Sequence, residues 1–288
     1  MNLKDVALEI NELLQKRRED LELNFIEEEH IYFMKDTDGV VKKNFPSVSN
    51  LIKKFHKPFD AQGMALRMAK GDPEGQQQLL AEWKVAGEKS VNMGSRVHFE
   101  LESDLIGRFG DYKAVRQPIF KIDEEQERKS NNMIIAGKNF LDLMLERNAI
   151  LLDTEIVLGD PREQYTGQPD KVWLMETKAK DGFGFVITDW KTNQPKNFEV
   201  HHYTGKLYSP FDQYHDNALG HYYLQLPLYG RLLCRMLEGT KYEGTKLLGG
   251  VVVLLKEDAS FVEYKVPQPV INRIMSMDLS RYIYRKKI

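Results

Sequence analysis

The sequence predicts an α/β protein, a sheet with helices packed on it, preceded by a mostly helical N-terminal region. Three observations carry this. Helical patterning dominates up to about residue 148. Three segments rich in β-branched and aromatic residues then follow in succession, at 151–158, 165–175 and 183–191. One further helical stretch separates them from two more strand-like runs.

Taken in order, Leu3, Val6, Ile10, Leu13 and Leu14 recur at helical spacing, and the charged run Lys16 to Asp20 closes an amphipathic first helix over 3–19. His30 to Met34 and Val40 to Phe45 flank Asp36-Thr37-Asp38-Gly39, a hairpin pattern because Asp-Gly accepts the positive φ such turns need. A short helix over 47–55 follows Pro46. Residues 61–106 read as helix, broken near Gly71-Asp72-Pro73 and again between Gly87 and Gly94. Another helix covers 125–147. The strands LLDTEIVL (151–158), YTGQPDKVWLM (165–175) and FGFVITDWK (183–191) come next, the last two joined by a polar loop at 176–182 of hairpin length. A helix spans about 217–237, where Pro227 predicts a kink or a late start. Strands at 249–255 and 261–266 and a helix from about Pro269 complete the chain. There is no repeat, low-complexity segment or linker. The change of character falls between 1–148, which carries the hairpin, and 149–288, the two expected to form one integrated domain.

Composition narrows the function classes. With 42% hydrophobic and 29% charged residues the chain has the apolar content of a folded protein rather than a disordered one. No apolar run approaches the ~20 residues that span a bilayer, and the first residues carry acids where a signal peptide would be basic, so the cytoplasm is the expected compartment. The single cysteine, Cys234, excludes an internal disulfide, an all-cysteine zinc site and a four-cysteine iron–sulphur cluster, and reads as core. A net charge of −2 argues against a surface coated in positive charge but leaves room for a locally basic cleft.

Two acids emerge where a strand does not need them. Asp170 follows Gly167-Gln168-Pro169, and Asp189 ends the apolar run Phe185-Val186-Ile187. Strand alternation puts Asp189 and Lys191 on one face with Trp190 pointing away. Pairing of the second and third strands would bring Asp170 beside Asp189, and two carboxylates that close repel unless a cation lies between them. Hard oxygen donors select Mg²⁺ or Mn²⁺. Taken alone, Asp189-Trp190-Lys191 is a surface ion pair at a strand end. Gly167 to Asp170 on the preceding strand is what gives it chemical meaning.

With two flanking motifs, these residues resemble the PD-(D/E)xK nuclease superfamily and, within it, the RecB-like exonuclease branch. The resemblance rests on Gly167-Gln168-Pro169-Asp170, on Ile187-Thr188-Asp189-Trp190-Lys191-Thr192, on Gly94 to Glu102 (GSRVHFELE), similar to that branch's G-x-x-x-H-x-x-x-E helix, and on Gln225-Leu226-Pro227-Leu228-Tyr229, similar to its Q-x-x-x-Y helix. All four stand in the family's order over residues 94–229, leaving 1–90 and the C-terminal end uncovered. The resemblance implies a restriction-endonuclease-like core with a mixed central β-sheet flanked by helices, formed by 149–288, to which the N-terminal region contributes His98. It implies that Asp170, Asp189, the Trp190 backbone carbonyl and His98 ligate Mg²⁺, with Mn²⁺ able to substitute, and that Lys191 is the catalytic lysine.

His98 and Glu102 share a helix face, so Glu102 either orients His98 or is solvated. Glu155 reads as an outward charge on a half-buried strand or, by resemblance, as an acid near the metal. The resemblance implies that Gln225 and Tyr229 position the lysine or contact nucleic acid; read from the residues alone, they pack among Leu224, Leu226, Leu228 and Leu232. Lys53-Lys54-Phe55-His56-Lys57 and Arg281-Tyr282-Ile283-Tyr284-Arg285-Lys286-Lys287 either track phosphates and stack bases or are solvated faces. The implied activity is a metal-dependent DNA exonuclease of replication, recombination or repair, with no iron–sulphur cluster. Its partners would be single-stranded DNA or duplex ends and a recombination or single-strand-binding protein, and no membrane. Compact stand-alone forms are common in phages, which implies a phage-encoded protein in a bacterial cytoplasm. The competing readings are a non-catalytic nucleic-acid-binding protein on a nuclease scaffold and a restriction-type endonuclease.

Overall fold

The computed structural model describes residues 2–26, 29, 31–109, 120–178, 182–201 and 204–283. Its elements run α1 (Leu3–Asp20), β1 (Asn24–Ile26), β2 (Ile31–Lys35), β3 (Val41–Lys43), α2 (Val48–Ile52), α3 (Ala61–Met68), α4 (Pro73–Phe109) and α5 (Glu124–Glu146). They continue as β4 (Ile150–Thr154), β5 (Leu158–Asp160), β6 (Tyr165–Gly167), β7 (Lys171–Glu176), β8 (Phe183–Lys191), α6 (Ala218–Met236), β9 (Lys246–Leu255), β10 (Phe261–Lys265), α7 (Gln268–Ser276) and α8 (Ser280–Ile283). The protein is mixed α/β. Among the described residues its central sheet has five strands in the order β10-β9-β8-β7-β4. The sheet is itself mixed, since β8 and β9 pair in parallel and the other neighbours antiparallel. A parallel pair needs a long crossover, and α6 lies within it.

Strand alternation divides the core in two. Leu152, Val172, Leu174, Phe185, Ile187, Val252 and Leu254 face α1, α2, α6 and α7. Leu151, Trp173, Val186, Trp190, Val253 and Leu255 face α4 and α5. On the second side the helices meet closely at Gly137, where a Cβ would lie 2.4 Å from the Leu101 side chain. On the first side Arg231 is buried, pairs with Glu163 and donates to the carbonyls of Ile274 at 2.5 Å and Met277 at 2.7 Å, tying α6 to the end of α7. Cys234 is a partly buried free thiol against this core. Among the described residues no helix is long and apolar enough to cross a membrane.

Several expectations are corrected. The helix predicted to break between Gly87 and Gly94 runs unbroken for 37 residues as α4. An interior glycine costs only about 1 kcal/mol, which packing readily offsets. The strand expected over 151–158 ends at Thr154, because Glu155 adopts a left-handed φ of 48°. The strand expected over 165–175 is two strands separated by Gln168–Asp170, and the short β5–β6 ladder forms a sheet of its own. The hairpin gains a third strand, β1. α6 begins at Ala218 and continues through Pro227, so the helix has no late start. Phe55 is buried against Phe211 and Tyr282, which removes it as a base-stacking residue. Of the second basic run, Tyr284 to Lys287 lie outside the described residues, as do His30 of the hairpin and residues 179–181 of the polar loop.

Gly167, singled out by its place before Pro169 and Asp170, has a steric reason to be glycine. A Cβ there would come within 2.6 Å of the Tyr229 ring and 2.8 Å of Val48. Gly167→Ala is therefore expected to cost about 1–3 kcal/mol, as overpacking of a filled site does. Urea denaturation checks this, and an unchanged midpoint would show that the ring yields freely.

Candidate active site at the end of the central sheet

The register of the sheet assembles the site. Lys171 pairs with Thr188, which sets Asp170 opposite Asp189 at one end of β7 and β8. Thr154 pairs with Lys171, which places Glu155 beside Asp170, and the Glu155 N–H donates to the Asp170 carbonyl at 3.0 Å. The left-handed turn at Glu155 is stitched further by Gln168, whose Nε2 donates to the Glu155 carbonyl at 2.9 Å. One end of the sheet thus gathers Glu155, Asp170, Asp189 and Lys191.

Helices bring the rest from both faces. α4 carries His98 over the sheet end, with Nδ1 3.5 Å from Asp170 Oδ2 and its ring edge-on to Trp190. His98 also has a hydrogen bond with the Trp190 backbone that favours the protonated ring, as when a ring N–H donates to that carbonyl. The approach of α4 is close at Gly94, where a Cβ would lie 3.0 Å from Thr192 Oγ1. Glu102, one turn beyond His98, accepts a long contact of 3.5 Å from Thr154. From the other face α6 presents Gln225 and Tyr229, joined by an Nε2–H···Oη bond of 2.8 Å. The predicted residues are therefore brought together, and two more join them. Tyr222 sets its ring 4.7 Å from Lys191 Nζ and donates to Asn193 at 3.0 Å. Lys171 is buried with Nζ 3.5 Å over the Trp190 ring. The signal for Tyr222 was its place three residues before Gln225 and seven before Tyr229 on one helix face. That for Lys171 was a lysine opening the apolar run Val172 to Met175.

Electrostatics distinguish the acids. Burial raises Glu155 well above the ordinary carboxylate range, and the neighbouring Asp170 adds to it. Burial and then Asp170 push Asp189 up to about 8. Burial alone would also raise Asp170, but nearby positive charge outweighs it and holds this carboxyl low. His98, Lys171 and Lys191 supply that attraction, and burial in turn pushes His98 below the ordinary imidazole range. Asp170 also accepts the Trp190 N–H at 3.0 Å. Lys191 lies 2.6 Å from Asp189, and that attraction overcomes burial to hold the ammonium protonated far above the usual lysine range.

This donor set fits a divalent cation. Nitrogen or oxygen atoms of His98, Glu155 and Asp170 lie within 4.8 Å of one another, and Asp189 adjoins Asp170. Two of the three carboxyls resist ionising where they stand, the condition a cation relieves. Glu155, which the sequence left between an outward charge and an acid near the metal, belongs to the group with His98 and Asp170, while Asp189 turns toward Lys191. The group opens into a cleft of about 2280 Å³ that runs between α4 and the loop after β8, lined also by Lys89, Lys129, Lys196 and Lys256. No protein-family model matches the chain, and no curated protein matches it.

Proposed function

We propose that this chain is a Mg²⁺-dependent DNA exonuclease of replication, recombination or repair, belonging to the RecB-like branch of the PD-(D/E)xK superfamily and built on a restriction-endonuclease-like core. The observation that carries the reading is the convergence of Asp170, Asp189 and Lys191 from paired strands with His98 from a helix on the far face. Mg²⁺ or Mn²⁺ would be held by His98, Glu155, Asp170 and Asp189, with the Trp190 carbonyl at hand, and would supply Lewis-acid polarisation of the phosphate and an acidified water.

The chain's own groups do the remainder. Lys191, kept protonated, offsets the negative charge that grows on the phosphoryl oxygens. Tyr222 and Asp189 hold its ammonium in place. Gln225 and Tyr229 back this arrangement from α6. Lys89, Lys129 and Lys256 are engaged with Asp123, Glu257 and Asp258 in weak pairs that a DNA phosphate can displace.

Incubating end-labelled linear DNA, single- and double-stranded, and circular DNA with Mg²⁺, Mn²⁺ or EDTA tests the proposal. Linear substrates should shorten from their ends with either metal and resist in EDTA, and circular DNA should outlast the assay. Cleavage that persists in EDTA, or none with either metal, would overturn it. Discrete fragments from circular DNA would favour an endonuclease at the same site.

A further inference from the structure

A second cluster of ligand-type side chains lies outside the cleft, where the segment after α2 meets the start of α6. One ring nitrogen each of His56 and His221 and a carboxylate oxygen of Asp216 lie within 4.8 Å of one another. His221 Nε2 is 2.7 Å from Asp216 Oδ1, and His56 Nδ1 is 3.9 Å from the same oxygen. The two imidazoles stack at 4.1 Å with their planes fanned by 28°.

We propose that His56, Asp216 and His221 bind a divalent transition-metal ion of the zinc class, which clamps the segment after α2 to the first turn of α6. Two imidazoles and one carboxylate are a mostly nitrogen donor set that suits zinc and its neighbours, whereas Mg²⁺ favours sites built mainly of oxygen, as in the cleft. A hydrogen bond accounts for His221 and Asp216 alone. It gives no reason for a second imidazole to lie against them, its nitrogen beyond hydrogen-bond reach of the shared oxygen. His56 Nδ1 also approaches the Lys57 carbonyl at 3.0 Å, a contact that metal binding would compete with.

The three donors come from segments that are already held. Tyr208 N–H donates to the Phe55 carbonyl at 2.6 Å, next to His56, and Asp216 N–H donates to Gly205 at 2.9 Å. Asn217 caps α6 by accepting from Gly220 N–H at 2.8 Å, while its amide donates to the carbonyls of Phe198 and Glu199. Such surroundings reduce the ordering cost of binding. The three side chains keep 17–29% exposure, which leaves one side open for an ion to enter and for water to complete its shell. His221 is followed directly by Tyr222, so the ion would steady the helix turn that faces Lys191.

The full chain, stripped with EDTA and returned to a large excess of Mg²⁺, can be titrated with Co²⁺ and followed by visible absorption and melting temperature, with Zn²⁺ then added to displace the Co²⁺. His98→Ala serves to remove the nitrogen donor of the cleft. That variant should still take up one equivalent of Co²⁺, yield it to Zn²⁺ and melt higher when loaded. His56→Ala and His221→Gln should each lose more affinity than the ~10–100-fold that removal of a mere orienting partner costs. Circular dichroism establishes that they fold, and Asp216→Asn replaces either one that does not. Absence of uptake by wild type overturns the proposal. So does uptake that vanishes in His98→Ala and persists in His221→Gln.

Discussion

Lys191→Met is expected to slow DNA hydrolysis by roughly 10²–10³-fold, the usual cost of removing one preorganised group that stabilises transition-state charge. The affinity for Mg²⁺ should stay level or rise. Lys191 sits 2.6 Å from Asp189 and competes with any cation for that carboxylate, so its removal frees a ligand while deleting a charge. Asp189→Ala should differ in kind, lowering both rate and metal affinity. Single-turnover cleavage of an end-labelled oligonucleotide across a Mg²⁺ titration separates the two effects. Undiminished rates in Lys191→Met would remove the lysine from the reaction, and a parallel loss of rate and affinity would make it a structural support of the metal group.

The second large effect concerns stability. Trp173 is fully buried between β7 and the α4–α5 layer, and its Nε1–H donates to Thr188 Oγ1 at 2.9 Å. Trp173→Ala removes a large side chain from a packed core and is expected to cost about 3–5 kcal/mol. Trp173→Phe keeps most of the volume and loses chiefly the hydrogen bond, a cost nearer 1 kcal/mol. Urea denaturation with an unchanged slope would measure both. A loss under about 1 kcal/mol for the alanine variant would mean that this helical layer does not pack on the sheet in solution.

Periodicity and residue type read most of the long elements. α1, α5, β8 and α6 emerge near their predicted bounds because each repeats one pattern over many residues. The failures are local and share a cause. At Glu155 and at Gln168–Asp170 the chain leaves extended structure although strand-forming residues lie on both sides, because pairing with β7 ends there. Composition counts propensity but does not see a partner strand. β1 has three residues, too few for alternation to register. In the cleft, strand alternation and pairing single out Asp170, Asp189 and Lys191 and the family resemblance adds His98, and the folded chain places the four together. The sequence could not rank Glu155, whose nearness to Asp170 depends on a left-handed turn. Tyr222 and Lys171 are not singled out by the sequence, because what distinguishes them is a cation–ring contact made only on folding, with Lys191 and with Trp190.

The parallel pairing of β8 with β9 bears on the order in which this protein acquires its chemistry. Every side chain of the cleft cluster lies between residues 98 and 229, whereas the strand that supports β8 on its far edge is Lys246–Leu255. The local β7–β8 ladder can place Asp170 opposite Asp189 at little loop-closure cost, but β9 must return across the whole of α6 before the sheet is closed. During synthesis the acids and the lysine leave the ribosome well ahead of the strand that holds them in register. Closure of the sheet around the cluster therefore waits on β9 rather than on the cluster's own residues.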